Sequence, residues 1–179
     1  MLLALVTLLV LLLYRQYGRT VLPAKDRLQL AGLDIGASVR ELPVGDGEGE
    51  PERIPLSAGG DGGPIFRVLL FASSACPICA RLRGEVGVLP AEQEEVEYWW
   101  IQAGEVKTDP PPAGWRLVSD AGGLSHDPMQ VPALPYAYAL DSGGVVRSKG
   151  LMNHLDDFRA LLAVAARNAD DHQLRRVRA

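Results

Sequence analysis

The stretch Ile65-Phe-Arg-Val-Leu-Leu-Phe-Ala72, continued by Ser73-Ser-Ala-Cys76-Pro-Ile-Cys79, decides how the rest of the chain is read. Its first half is an apolar run broken by one arginine, with the length and composition of a strand buried on both faces. Its second half turns into a helix predicted over residues 77–89. There Ile78, Leu82, Val86 and Leu89 recur at helical steps and make one apolar face. Pro77 suits the first helical turn, where its missing N–H costs nothing, and Pro90 stops the helix. Gly84 and Gly87 weaken it by about 1 kcal/mol each relative to alanine. Strand, turn and helix together carry two cysteines, spaced C-x-x-C, to a helix N-terminus.

Outward from this unit, residues 96–102 read as a second strand, parallel to the first because a helix intervenes. Trp99 and Trp100 point to opposite faces of it and are read as packing residues. Asp109-Pro-Pro-Pro112 is a stiff connector, residues 116–118 form a short strand, and residues 120–130 are too glycine-rich for a long helix. Strands over 136–140 and 145–148 are joined by Asp141-Ser-Gly-Gly144, a hairpin signal. The last helix opens at Asn153, with Asp156 and Asp157 in its first turn and Leu155, Phe158, Leu162 and Ala165 facing inward. Upstream, residues 39–44 and 53–56 form a hairpin that Pro43 and Pro55 confine to an edge. Residues 41–61 carry a net charge of −5 and are read as solvated surface. The sum is an α/β fold, a mixed four-to-five-stranded sheet flanked by helices on both sides.

At 179 residues, 47% hydrophobic and 22% charged, the chain suits one domain plus appendages. A net charge of −4 offers no basic surface, so nucleic acid is not an expected partner. Two cysteines exclude a disulfide-rich scaffold and a four-cysteine zinc site. No cofactor is expected: haem attachment requires His after the second cysteine, and residue 80 is Ala. No metal is assigned either, since a site would have to recruit His126, His154, His172 or distant carboxylates to one cysteine pair.

The first 13 residues are apolar except for Thr7, and Tyr14-Arg-Gln-Tyr17 follows. A helix of about 14 residues spans roughly 21 Å, short of the ~30 Å hydrocarbon core. Extension to Tyr17 helps, because Tyr and Arg suit the interface. A start upstream of Met1 would restore a full span. Neither the basic n-region nor the small-x-small site of a cleaved signal is visible. No polar face runs through residues 2–13, which argues against a buried core helix. Residues 1–17 are therefore expected to be a membrane anchor, 18–35 a linker, 36–167 the folded domain and 168–179 a charged tail. Arg15, Arg19, Lys25 and Arg27 favour a cytoplasmic domain by the positive-inside tendency. Substrate disulfides lie outside, which favours an extracytoplasmic, periplasmic placement. The second reading is preferred.

At a helix N-terminus, unpaired N–H groups and the dipole stabilise a thiolate. Cys76 is thus the expected exposed nucleophile and Cys79 the more buried resolving thiol of a thiol–disulfide oxidoreductase. Its partners would be client proteins with disulfides or thiols, and a membrane redox partner. The alternative is a metallochaperone that holds a soft metal through the cysteine pair. A purely structural disulfide would close too short a loop to stabilise much. A peroxidase of peroxiredoxin type wants proline at position 69, where this chain has Leu.

The run Phe71-Ala-Ser-Ser-Ala-Cys76-Pro-Ile-Cys79 after an apolar strand resembles the thioredoxin superfamily active site. The resemblance implies a cis-proline facing the cysteines; Pro135, in Leu134-Pro135-Tyr136, stands where it is expected, with Pro132 the competing candidate. Leu134 and Pro135 would then line a groove that pairs with a bound substrate strand, and Pro77 and Ile78 would be the dipeptide that tunes the potential. Leu134-Pro-Tyr-Ala137, Leu140-Asp141, Gly144, Lys149-Gly-Leu151 and Asn153 are similar to the membrane-anchored methylamine dehydrogenase accessory (methylamine utilisation) family. So are Tyr14-Arg-Gln-Tyr-Gly18 and Gly36-Ala-Ser38. This implies an anchored extracytoplasmic thiol–disulfide protein that helps mature an amine dehydrogenase or another envelope enzyme. One departure stands out. Cytosolic thioredoxins place a buried acid six residues before the nucleophile, and here that residue is Leu70.

Overall fold

The computed structural model describes Val6, Thr7, Val10 and residues 31–57, 65–104 and 110–177, with side chains of the last helix to Asp170. The elements are β1 (Glu41–Val44), β2 (Glu52–Pro55), β3 (Phe66–Ser73), α1 (Pro77–Glu85), α2 (Leu89–Glu92), β4 (Val96–Ala103), β5 (Arg116–Asp120), β6 (Tyr136–Asp141), β7 (Val146–Leu151) and α3 (Leu155–Val177). β3 is the middle strand of a five-stranded sheet ordered β5-β4-β3-β6-β7. It runs parallel to β4 and antiparallel to β6. Seven of its eight residues are buried, which is why its sequence shows no alternation. Arg67 is tolerated there because Glu97, its register partner on β4, pairs with it at 2.7 Å and the Leu56 carbonyl accepts a second bond.

The sheet separates two cores. On one face Val68, Leu70 and Trp100 pack against Leu82 and Val86 of the α1 segment and Phe158 of α3. On the other face Leu69, Phe71 and Trp99 pack against Leu42 and Leu56 of the β1–β2 region and Met129. The two tryptophans face opposite ways, as strand alternation requires. Helices on both faces were expected; instead α1 and α3 share one face. The hairpin and the glycine-rich β5–β6 connector close the other. The helix predicted over 77–89 also divides: α1 ends at Glu85, a 3-10 turn covers Val86–Val88, and Pro90 opens α2 instead of ending the helix. Two glycines weaken this segment, and the Val86 carbonyl accepts the Leu89 N–H of the 3-10 turn together with Trp115 Nε1–H at 3.1 Å.

Residues 1–17, the expected anchor, lie almost wholly outside the described residues. Among the described residues no helix is long and apolar enough to cross a membrane. The end of the expected linker is placed: Tyr136 Oη donates to the Ala31 carbonyl at 2.6 Å, and the Leu33 N–H donates to Tyr138 Oη at 3.1 Å. At the other terminus, residues of the charged tail continue α3 to Val177.

Gly122 marks where the hairpin meets the connector. Its N–H donates to the Gly45 carbonyl at 2.7 Å, and a Cβ here would stand 2.6 Å from the Gly47 nitrogen and 2.8 Å from the Asp46 carbonyl carbon. Both obstacles are backbone, so no side chain can give way. Gly122→Ala should destabilise the protein by about 2 kcal/mol. Urea unfolding checks this; an unchanged midpoint would show that the two loops part without cost.

Candidate active site

β3 ends at Ser73, and the turn to α1 is tied by the Cys76 N–H donating to the Ser73 carbonyl (3.2 Å) and the Ala75 N–H donating to Ser73 Oγ (3.2 Å). Cys76 is the N-cap of α1, with extended backbone, and its Sγ accepts the Cys79 N–H at 3.2 Å. Pro77 occupies the first turn and lacks an N–H, so the sulfur takes one of the donors that would otherwise be unpaired. Cys76 and Cys79 form a disulfide, with Cα atoms 5.2 Å apart. Their environments differ. Cys76 is half-buried while Cys79 is 1% exposed, packed in the core beneath α1.

The remaining predicted site residues converge on this end of the sheet. Tyr136 pairs with Phe71, so Pro135 sits beside the C-terminal end of β3, from which the chain runs to Cys76. The cis peptide falls at Leu134–Pro135 rather than at Pro132. Pro135 is buried and its carbonyl accepts the Met152 N–H at 3.1 Å. Leu134 is partly exposed and packs against the same core as Cys76 and Ile78, while Pro77 is exposed. Arg81 reaches from α1 to the Asn153 carbonyl at 2.7 Å and brings the β7–α3 loop to the rim.

Among the described residues, no three of His, Cys, Asp or Glu are placed to hold a metal ion. His126 instead meets the Phe71 ring edge-on, with centroids 5.6 Å apart, and its Nδ1 lies 3.6 Å from Asp120 Oδ2.

Two polar side chains near the dithiol were not singled out from sequence. Gln102 is 2% exposed and pairs in register with Ala72, on the face that carries Leu70 and Cys79. Its Oε1 accepts Trp100 Nε1–H at 2.9 Å and an Arg83 N–H at 3.4 Å. The available signals were a glutamine ending an apolar strand and an arginine four residues after Cys79.

A mixed sheet with a C-x-x-C disulfide opening the helix after its central strand, and a cis-proline beside it, defines the class: this is the thioredoxin-like fold. Among solved structures it matches a putative thiol:disulfide interchange protein DsbE from Chlorobium tepidum, with a TM-score of 0.58 and 17% identity over 76% of this chain and 98% of that one. It also matches the exposed lipoprotein thioredoxin of Streptococcus pneumoniae, with a TM-score of 0.52 and 14% identity over 71% and 98% of the two chains. Among proteins of known role, the chain is similar to the methylamine utilization protein MauD of Paracoccus denitrificans. The two are 28% identical over 167 residues, covering 88% of this chain and 80% of that protein. The resemblance carried by the motifs around Cys76 and Pro135 thus extends over most of the chain. No family model matches it.

Proposed function

We propose that the protein is a membrane-anchored, extracytoplasmic thiol–disulfide oxidoreductase that acts through Cys76 and Cys79. The observation that carries this is the asymmetric disulfide at the head of α1, with Cys76 half-exposed at the N-cap and Cys79 buried. In the reductive direction the Cys76 thiolate attacks one sulfur of a client disulfide and expels the other as a thiolate. Cys79 then attacks Cys76 Sγ in the mixed disulfide. The internal disulfide forms, the second client sulfur leaves as a thiolate, and two electrons have passed to the client. Run in reverse, the same steps form a client disulfide.

Likeness to MauD supports a client in the cell envelope, such as an amine dehydrogenase or another secreted enzyme. Residues 1–17, with their apolar run through Leu13, would hold the domain on the membrane, where a membrane redox partner would recharge the pair. Cys79→Ser tests the reading, because a mixed disulfide on Cys76 then has no internal thiol to resolve it. Non-reducing gels of envelope fractions should show adducts that collapse on adding dithiothreitol. If no adduct forms and the purified wild-type protein exchanges no disulfide with glutathione, the oxidoreductase reading is wrong. Alkaline carbonate extraction tests the anchor: the full chain should stay in the membrane pellet, and a chain lacking residues 1–17 should be released.

A further inference from the structure

We propose that Arg81 is a positioning residue for client engagement: by holding the Asn153 carbonyl it fixes the loop after β7 as a third wall of the groove at Cys76. The proposal rests on the redox reading above and adds what makes that site favour an extended polypeptide over a small disulfide.

The topology brings three chain segments to one end of the sheet. Phe71 pairs with Tyr136 and Tyr136 pairs with Leu151, so the end of β3, the start of β6 and the end of β7 lie side by side. The chain runs from the first of these to Cys76, enters the second through Leu134 and Pro135, and leaves the third through Met152 and Asn153. All three segments have left the ladder there, so contacts other than strand pairing set their spacing. Met152 is buried in one cluster with Cys79, and Cys76, Ile78 and Leu134 pack against that cluster. The loop after β7 therefore belongs to the same site as the dithiol.

Hydrogen bonds hold this loop on three sides. The Met152 N–H donates to the Pro135 carbonyl at 3.1 Å, which ties the loop to the cis-proline. Asp157 Oδ2 accepts the Asn153 N–H at 2.7 Å and the His154 N–H at 3.0 Å, as the acidic residue of a capping box does, which ties it to α3. Arg81 Nη2–H donates to the Asn153 carbonyl at 2.7 Å, which ties it to α1, the helix whose first turn carries the dithiol. Asn153 is thus held at both its N–H and its carbonyl. A bond from a charged donor is stronger than a neutral one. Its other contact is weak: Arg81 Nε lies 3.7 Å from Glu85 Oε1, and both side chains are exposed to solvent.

Exchange requires the client sulfur to be aligned with the attacking thiolate, so a polypeptide lying in the groove must be held in register with Cys76. A small disulfide turns into line by itself and does not need the wall. The test therefore compares two mixed disulfides of nitrothiobenzoate, one with glutathione and one with an extended peptide carrying a single cysteine. In each, Cys76 of the reduced protein attacks the client sulfur and expels the coloured thiolate. Cys79 then attacks Cys76 Sγ, its proton balances that of the departing client thiol, and the protein disulfide forms as two electrons pass to the client. Release of colour in a single turnover gives both rate constants. Arg81→Met should lower the peptide rate constant about five-fold, the worth of one such hydrogen bond, and leave the glutathione rate constant within about two-fold. Arg81→Lys keeps a charged donor for the carbonyl and should recover most of the peptide rate. Glu85→Gln should leave both rates within about two-fold of wild type. Asp157→Ala frees the same loop from the other side and should show the same selective loss. The double variant should then lose less than the product of the two single effects.

Arg81→Met with both rate constants within about two-fold of wild type overturns the proposal. So does an equal fall in both, which would mean that Arg81 acts on the dithiol chemistry and not on the client. If Asp157→Ala does not fold, Arg81→Met and Arg81→Lys decide the matter, since Arg81 is an exposed side chain. A wild-type protein that reduces neither mixed disulfide overturns the redox reading instead, so the two failures are distinguishable.

Discussion

Cys76→Ser should abolish disulfide exchange with glutathione while leaving the fold intact, a loss on the order of 10³-fold or more. The substitution separates two roles that Cys76 combines. As N-cap of α1 its sulfur accepts the Cys79 N–H, and serine is among the preferred residues for that position, so the helix start is retained. As nucleophile it cannot be replaced, because a serine hydroxyl at neutral pH neither attacks a disulfide sulfur nor leaves from a mixed disulfide. The Cys79 thiol that remains is 1% exposed and out of reach of a client. Iodoacetamide should likewise label Cys76 of the reduced wild-type protein first, and the reduced Cys76→Ser protein far more slowly. Rapid exchange by Cys76→Ser would mean that Cys79 is the attacking sulfur and that the burial difference does not set the order of the steps.

The contrast between the two cysteines was legible in sequence because it is local. An apolar run of strand length, a short turn and proline in the first helical turn suffice to put Cys76 at a cap and Cys79 one turn further in. The hairpin at 39–56 and the strands at 96–102 and 136–148 were legible for the same reason, each bounded by glycine or proline. What escaped depended on partners far along the chain. At the break after Glu85 the Val86 carbonyl takes a second bond, from the indole of Trp115 on the β4–β5 connection, beside the Leu89 N–H of the 3-10 turn. The connector at 121–135 could be seen not to be helical, but nothing local showed that it would cover a sheet face. Arg83 and Gln102 meet because β3 and β4 pair with Ala72 opposite Gln102, and a one-residue slip would turn Gln102 to the other face.

That connector is organised by one buried carboxylate, and replacing it should give the largest stability effect. Asp120 is 0% exposed at the end of β5. Its Oδ1 accepts the Leu124 N–H at 2.9 Å, and its Oδ2 accepts the Ser125 N–H at 3.0 Å and the Ser125 hydroxyl. Burial pushes its pKa up, but the His126 contact and the bonds from Ser125 and Leu124 outweigh this and hold it below the ordinary aspartate value. Asp120→Asn keeps the size of the side chain yet offers one acceptor where donors converge on two, and turns an NH2 toward N–H groups. The expected cost is about 3 kcal/mol, which lowers Tm by about 10 °C for a chain of this size. A pKa lower in the folded than in the unfolded state stabilises the fold above the unfolded value of about 3.9, and that stabilisation is lost as pH falls through the folded value. The wild-type advantage over Asp120→Asn should therefore be full at pH 7 and at pH 5, and shrink as pH drops below about 4. Thermal unfolding of both proteins from pH 7 to pH 3 measures it. A gap that stays constant to pH 3 would mean that asparagine loses on shape rather than on charge, and that the Asp120 carboxylate is not what holds the connector over the sheet.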